Sequence, residues 1–281
     1  GVRGTTGDGT PFTLTATKGV ILATGGFAAN VELRQRFNTH WATLDETIGT
    51  TNVPSATGDG IIMAEAVGAN LVGMEWIQLA PAITKMTAGL SASINNIIYI
   101  NAQGERFVRE DGRRDEMSAA MLEQSGGEYF WLSDMHLYRE IGGLTTYGMN
   151  VDEAVDGENL MKADTLEALA EKMGINPEKL KATVEEYNRL CMEGYDPLGK
   201  SPQYLKPITM APFYAAQYFP SSYGTLGGIK INSHLEVLDV NDQVIKGLYS
   251  AGTDSCTVYG DSYMFLLPGN TMGYSVNTGR F

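Results

Sequence analysis

Gly247-Leu248-Tyr249-Ser250-Ala251-Gly252-Thr253-Asp254 carries a short apolar run into a turn of small residues. Gly260-Asp261-Ser262-Tyr263 and Pro268-Gly269-Asn270-Thr271-Met272-Gly273 follow, a glycine-rich loop leading into an expected helix start. A strand end, a glycine turn and a helix N-terminus together expose backbone N–H groups that can hold a flat, phosphate-bearing cofactor. A second run of the same kind, Gly19-Val20-Ile21-Leu22-Ala23-Thr24-Gly25-Gly26-Phe27, lies far upstream. The pair predicts a cofactor gripped from both ends of the sequence, with residues 19–26 and 247–252 as neighbours in one sheet.

Composition sets outer limits. The chain has 281 residues, 43% of them hydrophobic, enough for one large domain or two ordinary ones with a real core. A formal net charge of -13 argues against a nucleic-acid surface, which needs a basic stripe. No apolar run is long enough to span a bilayer. Cys191 and Cys256 form no CxxC pair, and His40, His136 and His234 are scattered, so no metal site is expected. The stretch opens at Gly1 without a readable targeting segment and stops at Phe281 inside an expected helix. It reads as a piece of a longer protein, so localisation stays unknown.

The pattern along the chain predicts a nested arrangement. Residues 1–30 read as a hairpin and a buried strand, Asn30 to Phe37 as a helix, and Ile61 to Val67 as another behind Gly58-Asp59-Gly60. That loop is either an anion-friendly helix start or a plain cap by Asp59. The texture changes at Met74. Strands are expected at 95–100, 129–132 and 213–219, and short helices at 118–122 and 164–173, the latter with an Asp164…Glu167 capping box. Asn176-Pro177 opens a longer helix with Leu180, Val184, Tyr187 and Leu190 on one face. Gly224 to Gly228 reads as a turn before β structure returns. The expected fold is α/β: residues 1–74 and 223–281 form one body, interrupted by an α+β insertion at 75–222.

The stretches GVILATGGFAAN (19–30), TGDG (57–60), GMEWIQ (73–78), NAQGERFV (101–108), Arg114-Asp115, GGIKIN (227–232) and GLYSAG (247–252) stand in this order. In that combination the chain resembles the flavoprotein subunit of the soluble fumarate reductase, flavocytochrome c and 3-ketosteroid dehydrogenase group. The resemblance implies an incomplete Rossmann-like FAD-binding domain interrupted by a capping domain. It implies FAD as cofactor of the parent protein. The family's G-x-G-x-x-G loop would lie upstream of Gly1, so weak or absent FAD is expected for this stretch alone.

Position by position, the resemblance places Ala23, Thr24, Gly25 and Gly26 near the FAD phosphates and ribose. It places Gly58, Asp59 and Gly60 close to the flavin. Gly252 with Thr253 or Asp254 falls where an acidic residue meets the ribityl chain. Gly269, Asn270, Thr271 and Met272 match a helix N-terminus facing the flavin ring. Arg114 matches the catalytic proton donor, with Glu110 or Asp115 as possible proton partners; read locally, Arg114 is instead a salt-bridge partner of Asp111 or Asp115.

The dicarboxylate-binding residues are replaced by Ala80, by Gly224 beside Tyr223, and by Tyr263. A tyrosine cannot make the bidentate, charge-assisted contact of an arginine. The expected reaction is reduction of an activated C=C bond in an enone or enoate other than simple fumarate, with Tyr263 polarising a carbonyl, Arg114 giving the proton and Tyr223 as a substitute acid. The same fold running as a dehydrogenase that introduces a double bond is the alternative. A non-catalytic stretch without cofactor is a third reading. A small-molecule substrate is expected; the external electron donor is unread.

Overall fold

A computed structural model describes residues 1–82, 95–143, 150–156, 160–255, 258–264, 267 and 269–280. Cys256, Phe265, Pro268 and Phe281 lie outside the described residues. The chain opens with strands β1 (Val2–Thr5), β2 (Pro11–Leu14) and β3 (Val20–Leu22). Helix α1 (Val31–Phe37), strand β4 (Gly49–Thr50) and helix α2 (Asp59–Ala66) follow. Then come β5 (Leu71–Val72), β6 (Ile77–Ala82), β7 (Ile97–Asn101) and helix α3 (Arg114–Leu122). β8 (Tyr129–Asp134) leads to α4 (Met135–Glu140), α5 (Val151–Asp156) and β9 (Met161–Ala163). Helices α6 (Leu166–Met173) and α7 (Pro177–Glu193) precede the long strand β10 (Phe213–Thr225). The chain closes with β11 (Gly228–Ile229), β12 (Glu236–Leu238), β13 (Val244–Ser250) and α8 (Asn270–Arg280).

Two compact units divide these elements. One holds residues 1–47, 52–78 and 222–281; the other holds 48–51 and 79–221. In the first, β13 pairs in parallel with β3, Leu248 opposite Val20 and Ser250 opposite Leu22, and β12 flanks β13 on the other side. Residues 19–26 and 247–252 are therefore neighbours, as the two matching runs predict. A parallel pair has no tight-turn connection, so a long crossover must join the two strands. Here 221 residues separate the ends of β3 and the start of β13, and the second unit is built from most of them.

In the second unit the sheet order is β4-β10-β8-β7, with β6 and β9 also pairing with β10. Every residue of β8 is buried. Alternate side chains of a strand face opposite sides, and both sides are covered. Ile98, Ile100, Phe130, Leu132 and Ala215 pack with α6 and α7 through Leu169, Met173, Leu180, Val184 and Tyr187. Tyr99, Trp131, Tyr129 and Tyr218 face the other way, against Met117 and Met121 of α3. Full burial of one such aliphatic side chain stabilises by roughly 1.5–3 kcal/mol, so the face of α7 outweighs its weak intrinsic helicity. Asn176 caps α7, its side chain accepting from the Lys179 N–H at 3.1 Å, and Gly194 ends it with φ +68°.

Three local expectations are corrected. The α6 cap is Thr165, whose hydroxyl accepts from Ala168 N–H at 3.1 Å, so the Asp164…Glu167 box does not form. Helix α3 starts at Arg114, not Ser118. Gly224 and Thr225 belong to β10, and the chain turns after them at Leu226-Gly227, where Gly227 lies against the Gly73 backbone too closely for any side chain. A continuous buried strand overrides the local turn preference of glycine.

The charged run at 109–115 also orders locally. Arg109 clamps Asp111 through two hydrogen bonds of 2.8 and 2.9 Å, and Ser201 N–H adds a third at 3.0 Å. Burial works against the Asp111 carboxylate, but these donors outweigh it and hold its pKa at about 2, below its ordinary 3.8. The stabilisation is present above pH 3.8 and is lost as pH falls toward 2. Urea midpoints measured at pH 5 and pH 2.5 are expected to fall less in Asp111→Asn than in the wild type. Equal losses in both proteins would remove Asp111 as the source.

Candidate functional site

In the first unit, the expected segments at 23–26 and 58–60 meet around one short turn, Gly252–Asp254, which α8 also touches through Tyr274 and Thr278. Asp254 is fully buried. Its Oδ1 accepts from Gly26 N–H at 2.8 Å and from the Thr24 hydroxyl at 3.1 Å. Its Oδ2 accepts from Thr24 N–H and, at 2.9 Å, from the same hydroxyl. Thr24 Oγ1 in turn accepts from Gly60 N–H at 3.0 Å, in the first turn of α2. On the other side Gly252 N–H donates to Thr278 Oγ1 of α8 at 3.0 Å. Ser255 Oγ lies 2.9 Å from Tyr274 Oη of the same helix.

The glycines here are required. Gly25 and Gly26 have φ of +96° and +80°, the left-handed region that side chains avoid. Nothing lies within 4 Å of where a Gly25 side chain would begin. Ala23, Thr24 and Gly25 are exposed. The turn is therefore open at Gly25, while the N–H groups of Thr24 and Gly26 are given to Asp254. Gly58, at φ +82°, is the N-cap of α2. Asp59 does not cap the helix with its side chain; its carboxylate accepts from Thr57 Oγ1 at 3.1 Å. The N-terminus of α8 carries Asn270 and Thr271, half-buried, with Gly269 and Met272 exposed. Tyr259 Oη donates to Asn270 Oδ1 at 2.5 Å.

A second cluster in this unit is aromatic. The Tyr263 ring meets Tyr223 edge-on at 5.7 Å and Tyr259 edge-on at 5.0 Å. Gln78 Oε1 pins the segment, accepting from Ser262 Oγ at 3.1 Å and Tyr263 N–H at 3.0 Å. Asn52 Nδ2 donates to the Tyr223 carbonyl at 2.9 Å. A Cβ at Gly224 would lie 2.5 Å from Tyr263 Oη. The glycine is what lets that phenol rest on β10. From Ser255 to Gly279 the chain contains no lysine or arginine.

Arg114 belongs to the second unit. It is exposed, at the first position of α3, following Arg113. Cations at a helix N-terminus oppose the helix dipole by about 0.3–1 kcal/mol each, so this placement runs against local preference, offset by Asp115 and Glu116 in the same turn. The acids offered as its salt-bridge partners are held by other arginines: Asp111 by Arg109 at 2.8 Å and Asp115 by Arg113 at 3.1 Å. Glu110, offered as a proton partner, is enclosed in a buried network. Arg106 grips Glu110 and Asp196 bidentately at 2.6–2.9 Å, and Lys200 Nζ reaches Glu110 at 3.2 Å and donates to Ile97 O at 2.8 Å. Burial lowers the Lys200 pKa, with Glu110 opposing that effect.

A family model described as an FAD binding domain matches residues 1–271. The chain belongs to the FAD-binding domain family. It is 36% identical to the NADH:acrylate oxidoreductase of Vibrio harveyi over 90% of its own length and 25% of that protein's. The open form of a flavocytochrome c3 fumarate reductase matches at TM-score 0.77 and 31% identity, over 94% of this chain and 45% of that one. The 3-ketosteroid Δ1-dehydrogenase of Sterolibacterium denitrificans matches at TM-score 0.77 and 28% identity, over 97% of this chain and 53% of that one. The chain thus spans between a quarter and about half of the proteins it matches. FAD is the family's cofactor, and the residues present fit it. Thr225 Oγ1 and Ser250 Oγ are buried without a hydrogen-bond partner among the described residues. Thr225 Oγ1 stands beside the Gly26 turn, and Ser250 ends β13 just before the Gly252 turn. Both are polar atoms that a bound group can satisfy.

Sequence reasoning missed Gln78, Tyr259, Asn52 and Thr225. Gln78 and Thr225 lie in or beside quoted stretches, yet nothing local marks a glutamine as the anchor of a segment 184 residues away. His136 pairs with the buried Asp134 at 3.0 Å, and among the described residues no group of side chains could hold a metal ion. No helix is long and apolar enough to cross a membrane among the described residues.

Proposed function

We propose that the chain is part of a flavin-dependent oxidoreductase that reduces an activated C=C bond in an enone or in an enoate other than fumarate. In this reading the first unit is the cofactor-binding body and the second the capping, substrate-side domain. The observation that carries it is the neutral tyrosine cluster: Tyr263, pinned by Gln78, stands against Gly224 in a segment without a cation. A phenol can donate one hydrogen bond to a carbonyl oxygen but cannot clamp a second carboxylate.

When bound, the flavin supplies the hydride. Tyr263 orients and polarises the acceptor carbonyl, making its β carbon electrophilic. Arg114 gives a proton to the α carbon. Ala23–Gly26, Gly58–Gly60, Gly252–Thr253 and Gly269–Met272 would line the cofactor, with the N–H groups of Thr24, Gly26, Gly60 and Gly252 holding these segments to one another and the helix starts favouring its negative charge.

The test is anaerobic reoxidation of the reduced full-length enzyme by a panel of enones, aryl acrylates and fumarate. Enones or aryl acrylates are expected to react and fumarate is not. Fumarate as the fastest acceptor would overturn the reading. Rapid reduction of the oxidised enzyme by saturated ketones, with no reoxidation by enones, would favour the dehydrogenase direction. Tyr263→Phe is expected to cost roughly 2.7–4 kcal/mol in kcat/KM, the scale of a lost oxyanion donor.

Gly224→Ala is expected to destabilise the chain by about 1–3 kcal/mol through overpacking on the Tyr263 phenol. The clash is with Oη, since Tyr263 Cζ lies 3.6 Å from the built Cβ. The same change in Tyr263→Phe should therefore cost less. A double-mutant cycle in urea is expected to give a coupling of about 0.5–3 kcal/mol; strict additivity would mean that the two side chains do not touch.

A further inference from the structure

We propose that Asp254 and Thr24 are positioning residues that lock the Ala23–Gly26 turn, the Gly252–Asp254 turn and the start of α2 into one rigid cradle. Through that lock they set the affinity for FAD, without either side chain contacting the cofactor. The consequence for affinity rests on the FAD reading above; the lock itself does not.

The hydrogen bonds leave these side chains little else to do. Asp254 accepts four contacts from two backbone N–H groups and one hydroxyl, and its side chain is fully enclosed. A threonine hydroxyl has one proton to give. Thr24 gives it to Asp254 and uses a lone pair for Gly60 N–H at 3.0 Å. That N–H is one of the first-turn donors of a helix that have no partner inside it. One donor at the positive end of α2 is thus satisfied internally, with the Asp254 charge behind it. Segments 36 and 230 residues from Thr24 meet on its side chain.

The steric fit is equally specific. A Cβ at Gly60 would lie 2.5 Å from Asp254 Oδ2 and 2.8 Å from Thr24 Oγ1. Only glycine lets α2 come this close. A buried carboxylate is costly unless donors surround it, and here the donors are the backbone of the turn that FAD would touch. Asp254 is therefore consumed in holding the cradle. A contact to the ribityl hydroxyls from this turn passes to the half-exposed Thr253. The Gly252 bond to Thr278 extends the same lock to α8.

The experiment compares Thr24→Val, Thr24→Ser and Asp254→Asn with the wild type, all in the full-length protein. Amide hydrogen exchange at Gly26 and Gly60 is read without added FAD, and FAD affinity is read by flavin fluorescence titration. Thr24→Val keeps the side chain's shape and removes the hydroxyl. It should speed exchange at both glycines and weaken FAD by about tenfold or more, the scale of one lost hydrogen bond to a charged group. Asp254→Asn should do the same, and Thr24→Ser should restore both readouts. Weaker FAD binding in Asp254→Asn with unchanged exchange at Gly26 would show direct cofactor contact and overturn the proposal. Faster exchange with unchanged FAD affinity would overturn it too. If the full-length wild-type protein takes up no FAD, the cofactor reading fails, and the exchange data alone uphold or overturn the lock.

Discussion

Arg114→Gln in the full-length enzyme is expected to cut turnover by about 10²–10⁴-fold while leaving flavin affinity unchanged, the range that a positioned general acid contributes. The expectation stands on the proton-donor role proposed for it and on its place in the chain. Two arginines stand at the start of α3, where the helix dipole disfavours them. Arg114→Lys is the sharper variant. It keeps a positive charge but changes the shape and the pKa of the donor, so a charge-only role would leave it near wild type. Stopped-flow reoxidation with the acceptor found in the substrate panel checks both. Near-normal rates in the two variants would remove Arg114 from the proton path and move Tyr223 forward as the acid.

Glu110→Ala is expected to destabilise the second unit by about 3–5 kcal/mol, the cost of leaving buried cations without their partner. Arg106 would keep Asp196, but Lys200, with its side chain fully buried, would keep only the Ile97 carbonyl and Tyr187 Oη, 3.2 Å away. The loss should be largest near neutral pH and smaller at alkaline pH, where Lys200, its pKa already lowered by burial, sheds its proton. Urea unfolding of Glu110→Ala and of Glu110→Ala/Lys200→Met checks this. The double variant is expected to recover part of the stability, because no uncompensated ammonium is left behind. A loss under about 1 kcal/mol in the single variant would mean that water reaches the network.

The cap residues of α1 and α7 could be read directly from the chain, because a side chain that accepts from a backbone N–H three residues on is a local event. So could the buried face of α7, whose apolar residues recur at the helical spacing. The α6 cap was misplaced by one residue, since Asp164 and Thr165 are both competent and only the packing of Leu169, Ala170 and Met173 decides the phase. Gly224 was misread as a turn for a related reason: its neighbours across the sheet, not its own preference, hold it extended.

The sequence by itself determined that this is an α/β chain with two strand-to-glycine ends, few cysteines, a strong negative charge and a family order of motifs that points to FAD. The strand ends, the cysteine count and the charge rest on composition or on residues within a few positions of one another, where steric and hydrogen-bonding rules act alone, whereas the motif order points to FAD through resemblance to a known family. Only the tertiary structure decided the work of Asp254, Gly60, Gln78 and Gly224. The partners of Asp254, Gln78 and Gly224 lie between 39 and 230 residues away, and Gly60 meets Thr24 as well as Asp254. A buried carboxylate gathers its donors, and a missing Cβ makes room, only once the strands and helices that carry them have been brought together by burial of the core.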